Sequence, residues 1–245
     1  MELRLDLDAY VTEVRRSRAL VLGAAEGGLS RPVASCPGWT QADLADHVGV
    51  FLAFWGDVLS RRNAEPTGFE RDERVADGEL VEWFRGQTAT AIDDLAGVGS
   101  LDVERWNWSG RDLTAGWIAR RMAAEVAIHA WDATGGPGVG EPVPTKAALD
   151  GVEEFLDVFA PFFADRVQGD PLTVHLHATD GDGEWLWRVA PGAITFERGH
   201  AKGDVAVRAP ASDLFLLCWG RADPGDLEVF GDLAALRGLL ESVRV

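Results

Sequence analysis

The feature that most constrains the fold of this chain is a change of hydrophobic period near Gly169. Before it, apolar residues recur at the three-to-four spacing of amphipathic helices; after it they alternate at the spacing of strands. Helical periods followed by strand periods point to a helical bundle of about 165 residues followed by a small α+β unit. The 245 residues suffice for one large domain or two modest ones. The change of period places two, at 1–168 and 169–245.

The helical part divides at recognisable signals. A first helix is expected over about 5–25, with Leu7, Tyr10, Val11, Val14 and Leu20 on its apolar side. A second begins at Thr40, where a threonine cap with Asp43 three residues later satisfies free N–H groups. Its stripe is Leu44, His47, Phe51, Trp55 and Val58. A third runs over about 78–95. A fourth starts near Asp112 or Thr114 and stops at Gly135-Gly136-Pro137-Gly138. A fifth opens at Pro144-Thr145 and carries Leu149, Val152, Leu156, Phe159 and Phe163. Beyond Gly169, residues 172–179 alternate as a half-buried strand, Asp180-Gly181-Asp182-Gly183 turns, and 184–189 return. Strands at 193–197 and 205–208, a helix over 211–219, a short strand at 227–230 and a terminal helix from Leu233 complete the pattern.

Composition narrows the class of partner. A formal charge of −17 and a pI near 4.6 argue against nucleic acid or an anionic membrane surface. No apolar run has membrane-spanning length, and the opening Met-Glu-Leu-Arg-Leu-Asp is acidic where a secretory signal is basic and then apolar. The expectation is a cytoplasmic protein acting on small molecules, as a monomer or weak homodimer. Cys36 and Cys218 are too few for a disulfide framework or a zinc cluster. Lys146 and Lys202 are the only lysines among 23 basic residues, a bias of GC-rich genomes.

Chemistry concentrates in two of the helices. Glu125 and His129, four apart in Arg-Met-Ala-Ala-Glu-Val-Ala-Ile-His, share one helix face a turn apart. His47 sits on the otherwise apolar face of the second helix. Two imidazoles and a carboxylate are the donor set of zinc sites that keep a position open for water or substrate. A carboxylate on the stripe Ile118, Met122, Glu125, His129 requires a partner, because an unpaired buried charge costs several kcal/mol. Arg121, four residues earlier, offers a purely structural alternative to metal, and spacing alone leaves the two readings open.

Other candidates are weaker. Asp132, three residues after His129, is placed to accept an imidazole N–H, as carboxylates do behind metal-bound histidines. Cys36 could lie near His47, though it reads more simply as a small buried residue. His175 and His177 share a strand face without a carboxylate pattern beside them, and are expected to be sheet-face residues. The acids of Asp180-Gly181-Asp182-Gly183-Glu184 lack the glycine of a calcium loop at position six, where Trp185 stands.

The segments Ser35-Cys36-Pro37-Gly38-Trp39-Thr40 to Asp43-Leu44-Ala45-Asp46-His47, and Arg120-Arg121-Met122 through His129-Ala130-Trp131-Asp132-Ala133, resemble the signatures of the mycothiol-dependent maleylpyruvate isomerase family. So does Leu214-Phe-Leu-Leu-Cys-Trp-Gly-Arg221 near the end. The resemblance implies a DinB-like metal-binding four-helix bundle followed by a sterol-carrier-like α+β domain. It implies zinc, or another divalent metal, on His47, Glu125 and His129, with mycothiol as thiol cosubstrate. A thiolate adding to a cis double bond conjugated to a carbonyl, bond rotation and elimination would make an isomerase; a thiolate that stays attached would make a transferase. Arg121 and Arg221 are the cationic candidates for an acidic substrate, Arg221 facing a cleft between domains. Rival readings are a metal-dependent hydrolase using bound water, a lipid-like ligand-binding module, and a structural protein in which Glu125 pairs only with Arg121.

Overall fold

The computed structural model describes residues 3–61 and 74–244. Two compact units divide it, one comprising Arg4–Glu141 and the other Pro142–Val245 with Met1–Leu3.

The first unit is a four-helix bundle of α1 (Leu7–Glu26), α2 (Gln41–Ser60), α3 (Asp77–Ala96) and α4 (Ala115–Ala133). The cap the sequence called for at the start of α2 is present. Thr40 and Asp43 form a reciprocal box, Asp43 N–H donating to Thr40 Oγ1 at 3.3 Å and Thr40 N–H to Asp43 Oδ2 at 2.9 Å. Thr114 caps α4 by accepting from the Trp117 N–H at 3.3 Å. Small residues let α2 and α3 close on each other: a Cβ on Gly56 would stand 2.8 Å from Ala91 Cα. Packed against α1 and α2, α4 is buried along nearly its whole length, Arg120 and Arg121 included. A helix so enclosed needs a partner for every charge it carries, and that requirement shapes the site below.

The second unit begins with α5 (Thr145–Glu154). The expected single helix through Phe163 is instead broken into three pitches. It widens to a π turn over Phe155–Phe159 and tightens to a 3₁₀ turn over Ala160–Arg166. Pro161 explains the change: it has no N–H to give to Asp157 and its ring would crowd that carbonyl in a regular α-helix. The Ala160 N–H accordingly bonds back to Phe155 O, one residue beyond the α-helical partner. Because α5 packs on α6 (Ala211–Cys218), it belongs to the C-terminal unit, although the strands start only after Gly169.

Five strands follow: β1 (Leu172–Ala178), β2 (Glu184–Ala190), β3 (Ala193–Arg198), β4 (Val205–Ala209) and β5 (Glu228–Phe230). Their order across the sheet is β3-β2-β1-β4-β5, with β1 and β4 parallel and the other neighbours antiparallel. Alternation sorts the faces. Val174, Leu176, Trp185, Trp187, Val205 and Val207 are buried on the face that α5 and α6 cover. His175, His177 and Glu184 point to the other face. The chain closes with α7 (Leu233–Ser242). Among the described residues, no helix is long and apolar enough to cross a membrane.

Candidate metal centre

Cys36-Pro37-Gly38-Trp39 forms a tight turn just ahead of α2, closed by the Trp39 N–H donating to Cys36 O at 3.0 Å. Proline fixes φ at its second position, and Gly38 supplies the positive φ of 86° that its third position demands. The turn sets Cys36 and Trp39 beside two imidazoles, from α2 and α4. The Trp39 ring lies 5.2 Å from that of His47 and 6.2 Å from that of His129, nearly parallel to the latter.

Three of the residues singled out by the sequence come together here. His47 Nε2 stands 3.1 Å from Glu125 Oε1, and His129 Nε2 stands 3.3 Å from the same oxygen. One ligand atom from each residue lies within 4.8 Å of the others. Ligand atoms around a tetrahedral zinc, with bonds of about 2.0–2.2 Å, are separated by about 3.3–3.6 Å. The two distances to Glu125 Oε1, 3.1 and 3.3 Å, are close to that spacing. His129 is buried, whereas the side chain of His47 is 39% exposed, so the cluster is reachable from solvent.

Behind these three atoms a second set of contacts fixes their direction. His129 Nδ1 stands 3.0 Å from Asp132 Oδ2. A carboxylate can only accept, so the proton of that contact belongs to Nδ1 and Nε2 is left for the centre. Asp132 is itself held by Ser35 Oγ, donating to Oδ1 at 2.5 Å, and by Cys36 Sγ, 3.4 Å from Oδ2. On the other side, Arg121 Nη2 donates to Glu125 Oε2 at 3.0 Å. The two partners weighed for Glu125 are thus not exclusive: Oε2 takes the guanidinium and Oε1 faces the imidazoles.

The electrostatics follow from this arrangement. Burial opposes ionisation of Glu125, but His129, His47 and Arg121 overcome it and hold its carboxyl well below the ordinary value. Burial also opposes charge on His129, yet Asp132, Cys36 and Glu125 push its pKa well above that of a free imidazole. Without an ion, His129 must carry protons on both nitrogens to bond both carboxylates. With a dication on the three donors, His129 need keep only its Nδ1 proton. Glu125, Asp132, Arg121 and the ion would then sum to one positive charge, suited to an anionic ligand.

Arg121 is fully buried and engaged with Glu125, so it can orient that carboxylate. Arg221 follows α6 in the C-terminal unit, where its Nη1 donates to Trp219 O at 3.2 Å. Cys218 is enclosed, and burial pushes its thiol up to about 12, which removes it as a thiolate at neutral pH. Sequence reasoning passed over Trp39 and saw no histidine–carboxylate pair beside Cys36. The pair exists, but Cys36 and Asp132 lie 96 residues apart and only the fold joins them. His175 and His177 do occupy a sheet face, and there a carboxylate, Glu184, also meets them.

Fold and site together define a two-unit protein: a helical bundle with a two-histidine, one-carboxylate cluster, then a small α+β unit. The sequence model of the mycothiol maleylpyruvate isomerase N-terminal domain matches residues 10–134, and that of the MDMPI C-terminal domain matches 146–238. The chain belongs to the mycothiol maleylpyruvate isomerase family. A crystal structure of the mycothiol-dependent maleylpyruvate isomerase superposes with a TM-score of 0.62 at 16% identity, over 89% of this chain and 90% of that one. A histidine-to-alanine mutant of that enzyme gives 0.65 at 15% identity, over 92% and 93%. At such identities the likeness is one of fold. No curated protein matches the sequence.

Proposed function

We propose that this chain is a metal-dependent enzyme that uses a low-molecular-weight thiol, mycothiol, to isomerise or S-modify a small electrophilic substrate. His47, Glu125 and His129 are the residues that would hold the ion, zinc by preference. The observation that carries the reading is the convergence of two imidazole Nε2 atoms on Glu125 Oε1, at 3.1 and 3.3 Å. The ion, when bound, supplies the positive charge that lowers a thiol's pKa and favours thiolate at neutral pH.

The chain's own groups do the rest. Asp132 keeps a proton on His129 Nδ1 and so keeps Nε2 free, while Ser35 and Cys36 hold Asp132 in place. Arg121 turns Glu125 so that one oxygen faces the centre. We assign Arg121 this positioning role, and keep Arg221 as the candidate cation for an acidic substrate.

Maleylpyruvate, the compound named in the family's title, is the first probe. Metal-loaded protein is expected to turn it over with mycothiol and to lose that activity on chelation. Turnover of esters or amides without any thiol would instead make the protein a hydrolase. A second reading, an ion cluster that only fastens α2 to α4, draws on the His47–Glu125 contact of 3.1 Å between the helices, with Arg121 neutralising Glu125 at 3.0 Å within α4. Activity and stability both indifferent to chelation would favour it.

A further inference from the structure

A second cluster of donors lies in the C-terminal unit, on the sheet face away from α5 and α6. Strand order explains how it forms. To pass from β3 at one edge to β4 on the far side of β1, residues 199–204 must cross both β2 and β1. They cross close to the sheet: a Cβ on Gly203 would stand 2.8 Å from His175 N. His200, carried by this connection, sets its ring 5.0 Å from that of His175, edge to face. The cross-strand pairing of His177 with Glu184 adds a carboxylate at the same spot.

The distances single out one atom. Glu184 Oε1 is 3.2 Å from His200 Nδ1 and closer still to His177 Nδ1, both within hydrogen-bond range. From His175 Nε2 it is 3.9 Å, too far for a hydrogen bond. His175 is 6% exposed, and its Nε2 is buried with no hydrogen-bond partner among the described residues. An orphaned polar atom of this kind costs about 1–3 kcal/mol. A hydrogen-bonded His–Glu cluster accounts for His177 and His200 but leaves His175 unexplained.

A cation accounts for all of them. Donors around a tetrahedral ion stand about 3.3–3.6 Å apart, so the 3.9 Å between His175 Nε2 and Glu184 Oε1 needs only a few tenths of an ångström of closure to admit one. One donor atom each from His175, Glu184 and His200 already lies within 4.8 Å of the others. A cavity of about 480 Å³, lined in part by His177, Asp182, Glu184 and Arg198, borders the site on the Glu184 side.

We propose that His175 Nε2, Glu184 Oε1 and His200 Nδ1 form a second metal site, with His177 orienting Glu184, for a divalent transition metal of the zinc class. Two imidazoles and one carboxylate select such an ion over magnesium or calcium, which prefer oxygen throughout. An ion here clips the 199–204 connection onto β1 and β2. The site is independent of the centre in the bundle.

The test is a zinc titration of the metal-free full-length chain against a chromophoric chelator, in the wild-type and His47→Ala backgrounds. His200 is exposed, so His200→Ala should fold normally, which far-UV circular dichroism checks. In either background, His200→Ala and Glu184→Gln should each remove one ion per chain or weaken its binding at least about 100-fold, the upper end of what loss of a mere supporting contact costs. Imidazole NMR resonances of His175 and His200 should shift on addition of zinc. Equal zinc binding with and without these substitutions would overturn the proposal. If wild type and His47→Ala bind the same number of ions and His200→Ala removes one from each, the centre in the bundle fails while this one stands.

Discussion

Replacing Asp132 with asparagine separates a metal centre from a mere ion cluster. Asp132 is 1% exposed and holds three groups at once: His129 Nδ1 at 3.0 Å, Ser35 Oγ at 2.5 Å and Cys36 Sγ at 3.4 Å. Every one of these presents a donor to it. Asparagine keeps one accepting oxygen and puts an NH₂ where the second was, so a donor now meets a donor in a buried place. If the NH₂ faces His129, the imidazole turns or changes tautomer, and Nε2 carries the proton where the ion should bind. Loss of such a supporting contact weakens metal binding about 10–100-fold, equivalent to about 1.4–2.7 kcal/mol. Competition with a chromophoric chelator reads the zinc affinity directly, and urea denaturation of the metal-free variant checks that it folds. A folded Asp132→Asn protein binding zinc within about threefold of wild type would refute the reasoning that Asp132 aims His129.

Four further outcomes are expected. Arg121→Met leaves Glu125 Oε2 without its guanidinium in the interior, so the metal-free chain should lose about 3 kcal/mol in urea denaturation; a loss below about 1 kcal/mol would mean the pair is not a working ion pair. In Gly56→Ala, a Cβ 2.8 Å from Ala91 Cα must push α2 from α3. Overpacking of about 1–3 kcal/mol then outweighs the gain of up to about 1 kcal/mol in helix propensity, and a raised melting temperature would count against the close approach. For the metal-free chain, His129's raised pKa contributes stability that is complete below the unfolded value of 6.5 and lost as pH rises through its higher folded value. Glu125's lowered pKa contributes stability present above 4.5 and lost as pH falls through its lower folded value. Both contributions coincide between those two unfolded values, so denaturation midpoints should peak there. Zinc binding should strengthen above that window, because the ion must displace the second proton of His129; binding that strengthens on acidification would contradict this.

What the sequence made legible was local. The Thr40–Asp43 capping box, the Gly135–Gly138 stop and the Asp180–Gly183 turn each depend on residues within a few positions, and each stands where it was expected. The pairing of Glu125 with His129 belongs to the same class, one helical turn apart on a single face. The consequence of Pro161 was readable too, but the apolar period of 149–163 masked it, since a π turn keeps Phe155 and Leu156 buried almost as an α-helix would. What stayed hidden depends on tertiary approach. Cys36 meets Asp132 only because the turn before α2 packs beside α4. Glu184 and His200 join His175 only through strand order and a crossing connection. The choice between Arg121 and a metal for Glu125 looked like an alternative because a sequence does not say that a carboxylate has two oxygens facing different ways.

The central claim is that His47, Glu125 and His129 hold an ion. The most direct measurement is an anomalous difference map at the zinc edge from crystals of the full-length protein grown with zinc. The account predicts a peak bonded to His47 Nε2, His129 Nε2 and a Glu125 oxygen at about 2.0–2.2 Å, with an open coordination position toward the exposed edge of His47. A map without a peak there, with both Nε2 atoms still 3.1 and 3.3 Å from Glu125 Oε1 as in hydrogen bonds, would contradict it.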